Sequence, residues 1–192
     1  MMYRFVLIIA KIYVALFYRV RFAGKPNIPK GAALICANHT SGADPVFIAA
    51  AFKCGDKLSF MAKSELFHNK LFGWFLTKIG AYPIHRGESD MNAVKKSLSI
   101  LKSGKKLLMF PEGRRVRGED SSEVKNGVSM LALKTGAPIL PVFVTAGRKA
   151  LFCRLTVVFG EPYTVEKQKA GPEVYRAIGE ELMMKIHALG AN

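Results

Sequence analysis

Residues 32–54 read AALICANHTSGADPVFIAAAFKC, and the order of their side chains decides which fold class we expect. The stretch begins with an apolar run over 32–38, which is typical of a short strand that is buried on both faces. A polar loop follows, and Asp44 and Pro45 then suit the N-cap and the first position of a helix over 45–54. The stretch therefore predicts a buried strand, a polar loop and a helix, in that order.

The same alternation of strand and helix continues along the chain. Further apolar runs predict strands at 57–63, 81–86, 105–110, 138–145 and 154–165. Helical patterns predict helices at 64–80 (with Ser64 as its N-cap), 89–104, 126–136 and 172–189. Strands separated by helices indicate an α/β fold. We predict a single-domain layered sandwich, with a mainly parallel central sheet that is flanked by helices.

The first 22 residues, MMYRFVLIIAKIYVALFYRVRF, are the most apolar stretch of the chain. Lys11 divides them into runs that are shorter than the ~20 residues needed to cross a bilayer core. On a helix, Arg4 and Lys11 point the same way, and a basic stripe on an apolar helix is typical of a helix that lies in the membrane interface. The alternatives are a core helix, or a spanning or signal segment. We predict an amphipathic membrane-interface helix over 1–24 and a single domain over 25–192.

The composition indicates an anionic partner. The chain has 29 Lys and Arg against 14 Asp and Glu, a net charge of +15, and 50% of its residues are hydrophobic. A basic excess attracts nucleic acid, an anionic membrane surface or phosphorylated substrates. Because the chain is also apolar and has no helix-turn-helix, zinc or RNP-type signature, we predict an anionic membrane surface as a partner and no nucleic acid. The spacing of histidines and cysteines predicts no metal site.

Polar and charged residues follow three of the predicted strands. In parallel sheets, functional groups gather on the loops at the carboxyl ends of the strands. The loops after 32–38, 81–86 and 105–110 carry His39, Arg86 and the run Glu112, Gly113, Arg114 and Arg115. We therefore expect these side chains to meet at one edge of the sheet.

The loop at 38–44, NHTSGAD, holds His39 and Asp44 five positions apart. A neutral imidazole is a general base near neutral pH, and a carboxylate bonded to its second nitrogen fixes the tautomer and stabilises the imidazolium. The alternative is that Asp44 only caps a helix and that His39 is an ordinary loop histidine. The sequence has no G-x-S-x-G elbow and no cysteine in a reactive setting, so such a base would activate a hydroxyl or water supplied by the substrate.

Arg114 and Arg115 stand next to Gly113, and two adjacent guanidinium groups beside a glycine backbone form an anion site. Arg86 ends another predicted strand and can join them. The alternative is a solvated basic loop.

Taken together, four blocks resemble the glycerophospholipid acyltransferase family, in its 1-acyl-sn-glycerol-3-phosphate acyltransferase branch. In the family's order and spacing, the blocks are NHTSGAD at 38–44, GAYPIHR at 80–86, FPEGRR at 110–115 and GAPILPVFV at 136–144. Two positions depart from the family's pattern. Arg114 stands where the family usually has Thr, and His85 stands where it usually has Asp. Both changes make the acceptor end of the predicted site more positive.

The resemblance implies a role for each candidate residue. His39 is the catalytic base and Asp44 orients it. The acceptor is bound by residues of the second and third blocks and by neighbouring basic residues, namely Arg86, Glu112, Gly113, Arg114, Arg115 and Lys125. The resemblance implies no cofactor and no metal.

The resemblance also implies a reaction and a location. A fatty acyl group passes from acyl-CoA or acyl carrier protein to the sn-2 hydroxyl of lysophosphatidate (1-acyl-glycerol-3-phosphate), which gives phosphatidic acid in phospholipid biosynthesis. Residues 25–192 are then the acyltransferase domain, at the cytoplasmic face of a membrane. The alternative acceptors are glycerol-3-phosphate or another lysolipid, such as a lyso-ornithine lipid. A lipid-binding protein without catalysis is the alternative from a different class.

Overall fold

The computed structural model describes residues 2–85, 90–115, 124–145 and 152–191. The strands in these ranges are β1 (Arg19–Ala23), β2 (Ala33–Ala37), β3 (Leu58–Lys63), β4 (Ala81–Ile84), β5 (Lys106–Met109), β6 (Ile139–Val144) and β7 (Arg154–Phe159). The α-helices are α1 (Met2–Phe17), α2 (Asp44–Ala51), α3 (Lys70–Lys78), α4 (Met91–Lys102), α5 (Gly127–Thr135) and α6 (Pro172–Ala188).

The strands form one sheet in the order β1-β7-β6-β2-β5-β3-β4. The pairs are parallel except for β6 with β7, which is antiparallel. The predicted α/β class with a mainly parallel sheet is therefore confirmed. Because β2, β3, β4, β5 and β6 run in the same direction, their carboxyl ends share one edge of the sheet, which we call the carboxyl edge.

Helices cover both faces of the sheet. On one face, α1 and α2 pack on the sheet, and Phe47 and Ile48 of α2 lie in the core together with Ile35 of β2. On the other face, α4, α5 and α6 contribute the buried residues Leu101, Leu131 and Leu182. All five residues of β2 are buried, as an apolar run at the centre of a two-sided sheet requires.

The N-terminal helix is shorter than the predicted helix over 1–24. It ends at Phe17, and Arg19–Ala23 forms the edge strand β1, which pairs in parallel with β7. The reason is the side-chain alternation in β1. Its two arginines are exposed, whereas Val20 and Phe22 pack against the core, and this period of two belongs to a strand.

Helix α1 packs on the domain through a narrow face. Leu7 and Val14 are buried, whereas a stripe of large apolar side chains is 46–64% exposed, namely Phe5, Ile8, Ile9, Ile12 and Leu16. The hydroxyl of Tyr3 donates to the carbonyl of Asp56 and accepts from the N–H of Leu58, so the start of α1 is joined to the start of β3. Within the described ranges, none of the helices has the length and hydrophobicity that crossing a bilayer requires.

The predicted helix over 64–80 is divided in two. A short 3₁₀ helix (Ser64–Phe67) precedes α3, and Ser64 does not cap α3. The N-cap is Asn69, whose side-chain oxygen accepts from the N–H of Phe72 at 3.0 Å. Asparagine is among the strongest N-cap residues, so the second helix begins there.

Several other predicted elements are shorter than expected, among them helix α2, which ends at Ala51 rather than 54. Helix α4 begins at Met91, after its N-cap Asp90, and ends at Lys102 rather than 104. Strand β7 ends at Phe159 rather than 165, and beyond it Tyr163 forms a single antiparallel bridge with Ile139.

Candidate active site

Strand β2 delivers His39 to the carboxyl edge through Asn38, which is buried. The side-chain amide of Asn38 donates to the carbonyl of Val144 at 2.9 Å, and its oxygen accepts from the N–H of Val144 at 2.8 Å. These two bonds link the end of β2 to the end of β6 through a side chain, and they fix where the chain leaves the sheet. We did not predict this role, although the position of Asn38 between a buried strand and His39 is a signal for it.

The structure brings His39 and Asp44 together. The Nδ1 atom of His39 lies 3.1 Å from Oδ2 of Asp44, which is completely buried. The same Oδ2 accepts hydrogen bonds from the backbone N–H groups of Thr40 (2.8 Å) and Ser41 (2.7 Å). A carboxylate held by three donors is fixed in position. With the Nδ1 proton donated to it, the lone pair of Nε2 is the basic position of the imidazole.

Asp44 is not the N-cap of α2, contrary to the prediction. The N-cap position is Ala43, and Asp44 is the first helical residue. Its carboxylate turns back toward the loop before it and accepts hydrogen bonds from the N–H groups of Thr40 and Ser41. The small residues of the loop allow this tight return. The carboxylate therefore organises the loop that carries His39.

The ring of His39 also stacks on Phe110, which directly follows β5. The two ring centroids are 4.0 Å apart, with an angle of 21° between the ring planes. This contact limits rotation of the imidazole ring about the bond that joins it to Cβ. Phe110 belongs to the third sequence block, but no role was predicted for it. Only the pairing of β2 with β5 brings it beside His39.

Glu112 lies beneath the His39 loop and is only 5% exposed. Its Oε2 accepts from the backbone N–H of His39 at 2.9 Å. Burial raises the pKa of Glu112 to about 7, the bond from the His39 N–H opposes this rise, and the nearby charge of Asp44 adds to it. The structure thus places this predicted acceptor-binding residue against the backbone of His39.

Gly113 and Lys125 come together around the turn that follows Phe110. Gly113 has a φ of +67°, and its N–H donates to the carbonyl of Phe110 at 3.0 Å. A Cβ atom on Gly113 would stand 3.0 Å from Cγ of Lys125, whose own N–H donates to the carbonyl of Pro111 at 2.9 Å. Both the positive φ and the close lysine favour glycine at this position.

The structure brings one of the predicted arginines to the His39 loop. Nη1 of Arg115 lies 3.8 Å from the point that a Cβ atom on Gly42 would occupy. Arg114 is exposed in the same turn. Arg86 lies outside the described residues. His85 is exposed, and its N–H donates to the carboxylate of Asp90 at 3.0 Å.

The arrangement is that of a general base beside a cationic surface. A buried carboxylate orients an imidazole, a phenyl ring fixes its plane, and at least one guanidinium group lies over the same loop. Such an arrangement can remove a proton from a hydroxyl whose parent molecule carries a negative charge. Within the described ranges, no cluster of three or more His, Cys, Asp or Glu side chains offers a place for a metal ion.

Comparison with known proteins identifies a family and several relatives that are similar to this chain. Residues 19–145 match the family model described as Acyltransferase. The chain is 36% identical over 141 residues to the 1-acyl-sn-glycerol-3-phosphate acyltransferase of Streptococcus pneumoniae, across 71% of this chain and 52% of that protein. It is 30% identical over 165 residues to the protein of the same name from Bacillus subtilis, across 84% of this chain and 82% of that protein.

A solved structure shares the fold. The crystal structure of the 1-acyl-sn-glycerophosphate acyltransferase PlsC from Thermotoga maritima superimposes with a TM-score of 0.75 at 24% identity, across 99% of this chain and 82% of that one. The chain spans about half the length, 52%, of the Streptococcus relative. Together, the family match over 19–145 and the coverage of the Bacillus relative show that the chain belongs to the acyltransferase family.

Proposed function

We propose that the chain transfers a fatty acyl group from a thioester of coenzyme A or acyl carrier protein to the sn-2 hydroxyl of 1-acyl-glycerol-3-phosphate, which gives phosphatidic acid. One observation carries this proposal, the 3.1 Å contact between His39 Nδ1 and the buried Oδ2 of Asp44. It equips the chain with an oriented base for a hydroxyl acceptor. The activities for which the Streptococcus and Bacillus relatives are named support the choice of acceptor.

The reaction proceeds by direct transfer between the two substrates. Nε2 of His39 takes the proton of the sn-2 hydroxyl as the hydroxyl oxygen attacks the thioester carbonyl. The resulting oxyanion collapses, the carbon–sulfur bond breaks, and the leaving thiolate takes this proton from the imidazolium. Asp44 stabilises the imidazolium between these two steps. The reaction needs no cofactor and no acyl-enzyme.

The tetrahedral intermediate needs hydrogen-bond donors for its oxyanion. The backbone N–H of Gly113 is a poor candidate because it donates to the carbonyl of Phe110. The N–H of Gly42, in the His39 loop, is the better one. Arg115 lies over this glycine, so the acceptor and the oxyanion would be stabilised on the same side of the loop.

The acceptor phosphate is held by the basic residues near the loop. Arg115 and Lys125 line the turn after β5, and Arg114 is exposed in the same turn. We propose Arg86 as a further phosphate ligand from the sequence alone, since it lies outside the described residues. Guanidinium groups suit a phosphate monoester because their paired N–H donors match its oxygens. Glu112, in contrast, acts through His39 as a positioning residue, because its carboxylate bonds to the His39 backbone.

The lipid substrates place the chain at a membrane. We propose that it binds peripherally to the cytoplasmic face of an anionic membrane, with the apolar stripe of α1 in the interface and residues 25–192 as the acyltransferase domain. The exposed stripe supports this placement, since five large apolar side chains on a free helix face suit an interface better than water. The net charge of +15 adds attraction to anionic lipid.

Release of thiol from the donor tests the reaction. The full chain is supplied with acyl-CoA or acyl-acyl carrier protein in lipid vesicles, with and without lysophosphatidate. We expect thiol release that requires the acceptor, formation of phosphatidic acid, and loss of both in the His39→Ala variant. Glycerol-3-phosphate and a lyso-ornithine lipid test the other acceptors. Thiol release at the same rate without any acceptor would indicate a thioesterase, and no release with any acceptor would indicate a binding protein.

A further inference from the structure

A second group of exposed apolar side chains lies on the 3₁₀ helix and on α3. We call it the α3 patch, and it consists of Leu66 (45% exposed), Leu71 (77%), Phe72 (46%) and Trp74 (53%). The opposite side of α3 is buried at Gly73 and Leu76. Large apolar side chains gathered on one short segment of a surface indicate an interaction site rather than scattered exposure.

The charges around the α3 patch favour an anionic bilayer as its occupant. Residues 63–78 contain three lysines and one glutamate, and that glutamate, Glu65, is paired with Lys63 at 2.8 Å. Nζ of Lys78 lies 5.8 Å from the centroid of the Trp74 ring. Apolar side chains, a tryptophan and lysines that extend toward the headgroups are the composition of membrane-interface segments.

The α3 patch lies on the same side of the sheet as α1. The connections from β2 to β3 and from β3 to β4 advance in the same direction along the sheet. Right-handed crossovers therefore place α2 and α3 on one face, which is the face that α1 also covers. Both helices are connected to Leu58, at the start of β3. Tyr3 of α1 bonds to its N–H, and Gly80, just after α3, packs against its carbonyl.

Both apolar surfaces extend to the carboxyl edge of the sheet, where His39 lies. Helix α3 starts soon after the carboxyl end of β3, so its exposed first turns are near that edge. The chain leaves α1 at the same edge, where Tyr18 packs edge-on against Phe47 of α2 with ring centroids 4.9 Å apart. Phe47 stands one turn after Asp44. The His39 loop, which follows the central strand β2, therefore lies between the two surfaces.

We propose that the α3 patch is a second bilayer-binding element, which together with the exposed stripe of α1 docks the carboxyl edge of the sheet against an anionic membrane. The role of this docking rests on the proposed function, because a lipid acceptor can pass from the bilayer to His39 only if the His39 loop faces the bilayer. The binding itself rests only on the exposed side chains and their charges. Two contacts on either side of the loop fix its orientation, whereas α1 alone would leave the domain free to rotate about one helix.

Trp74 provides a direct measurement because it is the only tryptophan in the chain. The full chain is mixed with vesicles of phosphatidylcholine and phosphatidylglycerol, and tryptophan emission is recorded. We expect a shift to shorter wavelength, quenching by lipids brominated in their acyl chains, and protection from iodide. If the chain sediments with the vesicles while Trp74 keeps its emission and its accessibility to iodide, α1 binds alone and the proposal is wrong.

A matched pair of variants tests the contribution to affinity. Leu71→Ser combined with Phe72→Ser should weaken vesicle binding by at least about tenfold, since full burial of even one such side chain in an apolar environment is worth that much. The control is Met184→Ser on α6, which is 66% exposed but lies on the opposite face of the sheet and should leave binding unchanged. Circular dichroism establishes that each variant is folded. The proposal is contradicted if both variants bind vesicles as tightly as the unaltered chain does, or if both lose the same amount of affinity.

A second copy of the chain is the competing occupant. If gel filtration without lipid shows that the Leu71→Ser, Phe72→Ser variant loses a dimer that the unaltered chain forms, and vesicle binding is unchanged, the patch is a protein interface and the proposal is wrong. None of these measurements uses an acyl donor or acceptor. A chain without acyltransferase activity would still give a readable result, and a failed docking test would leave the thiol-release assay intact.

Discussion

The backbone N–H of His39 donates to Oε2 of Glu112 over 2.9 Å, and this bond ties the loop after β2 to the loop after β5. The two residues are 73 positions apart in the chain, but their strands are neighbours in the sheet. Because Glu112 is only 5% exposed, loss of this bond would leave the N–H of His39 without a partner in a buried place. The position of the proposed base therefore depends on the Glu112 carboxylate.

Glu112→Ala should lower turnover without weakening acceptor binding. The variant removes the acceptor for the His39 N–H, so the imidazole loses its position, and an error of about 1 Å can reduce kcat on the order of 10²-fold. Glu112→Gln keeps an oxygen that accepts the same N–H and should restore most of the activity. The measurement is the initial rate of thiol release against lysophosphatidate concentration. A raised KM with unchanged kcat in the alanine variant would instead make Glu112 a ligand of the acceptor.

Glu112 should also make stability depend on pH. Burial is the main cause that raises its pKa from the ordinary 4.5 to about 7. The folded chain therefore holds this proton more tightly than the unfolded chain does. Its contribution to the free energy of unfolding is present below pH 4.5 and declines as pH rises from 4.5 to about 7.

The Glu112→Gln variant isolates this contribution because its amide does not titrate. Relative to the unaltered chain, its free energy of unfolding should increase as pH rises from 4.5 to about 7 and then stay level. Urea unfolding at pH values below, within and above this window measures the difference. A difference that does not change with pH, or that decreases, contradicts the raised pKa.

Asp44→Asn should abolish most activity while the fold is kept. In the unaltered chain one oxygen, Oδ2, contacts both the N–H groups of Thr40 and Ser41 and Nδ1 of His39, so the amide oxygen can take its place and keep all three contacts. The amide carries no negative charge, however, and therefore stabilises the imidazolium that forms during the reaction much less than the carboxylate does. We expect a loss of ~10²–10⁴-fold in kcat.

His39→Ala is the reference for this experiment. The two variants should lose similar amounts of activity if the action of His39 as a base depends on the negative charge of Asp44. Thermal unfolding of both proteins, compared with the unaltered chain, separates a catalytic loss from a folding defect. Turnover by the folded Asp44→Asn protein at the unaltered rate would remove Asp44 from the mechanism.

The elements were predictable from the sequence where they are long or fully buried, and less so at their ends. The unbroken apolar run of β2, bounded by polar residues, is typical of a central strand that is buried on both faces of an α/β sheet. Strand β1 was missed because its Val20 and Phe22 extend the apolar pattern of the preceding helix, and five residues are too few to separate a period of two from one of 3.6. Its pairing partner, β7, lies more than a hundred residues away, and no local signal announces it.

The residues of the candidate site could be predicted from the sequence, but the contacts between them could not. The spacing of His39 and Asp44 indicated a pair, but whether the carboxylate bonds to its own helix or to the preceding loop depends on the path of the backbone. The resemblance drew attention to Glu112 without revealing that its partner is the His39 N–H. Phe110 and Asn38 received no role, because stacking across β2 and β5 and bonding across β2 and β6 follow from strand order, which the sequence does not state.

Gly113→Ala should destabilise the turn that carries Glu112. An alanine at a φ of +67° costs about 1–2 kcal/mol in backbone strain, and its Cβ would also meet Lys125 at 3.0 Å. The matched control is Gly104→Ala after α4, where φ is +75° but no atom lies within 4 Å of the new Cβ. Both variants should lose stability in urea unfolding, whereas only Gly113→Ala should also lose activity. Full activity in Gly113→Ala would indicate that this turn does not determine the position of His39.

Substitutions on the two faces of α1 should separate membrane binding from folding. Deleting residues 1–22 cannot do so, because it also removes most of β1 from the sheet. Ile8 and Ile12 are 46% and 53% exposed, so changing both to serine should alter the free energy of unfolding by less than ~0.5 kcal/mol and weaken sedimentation with anionic vesicles. Leu7→Ser, at a position only 4% exposed, should cost about 2–5 kcal/mol. If the double variant binds vesicles fully but unfolds as easily as Leu7→Ser, the stripe packs against protein and α1 is a core helix.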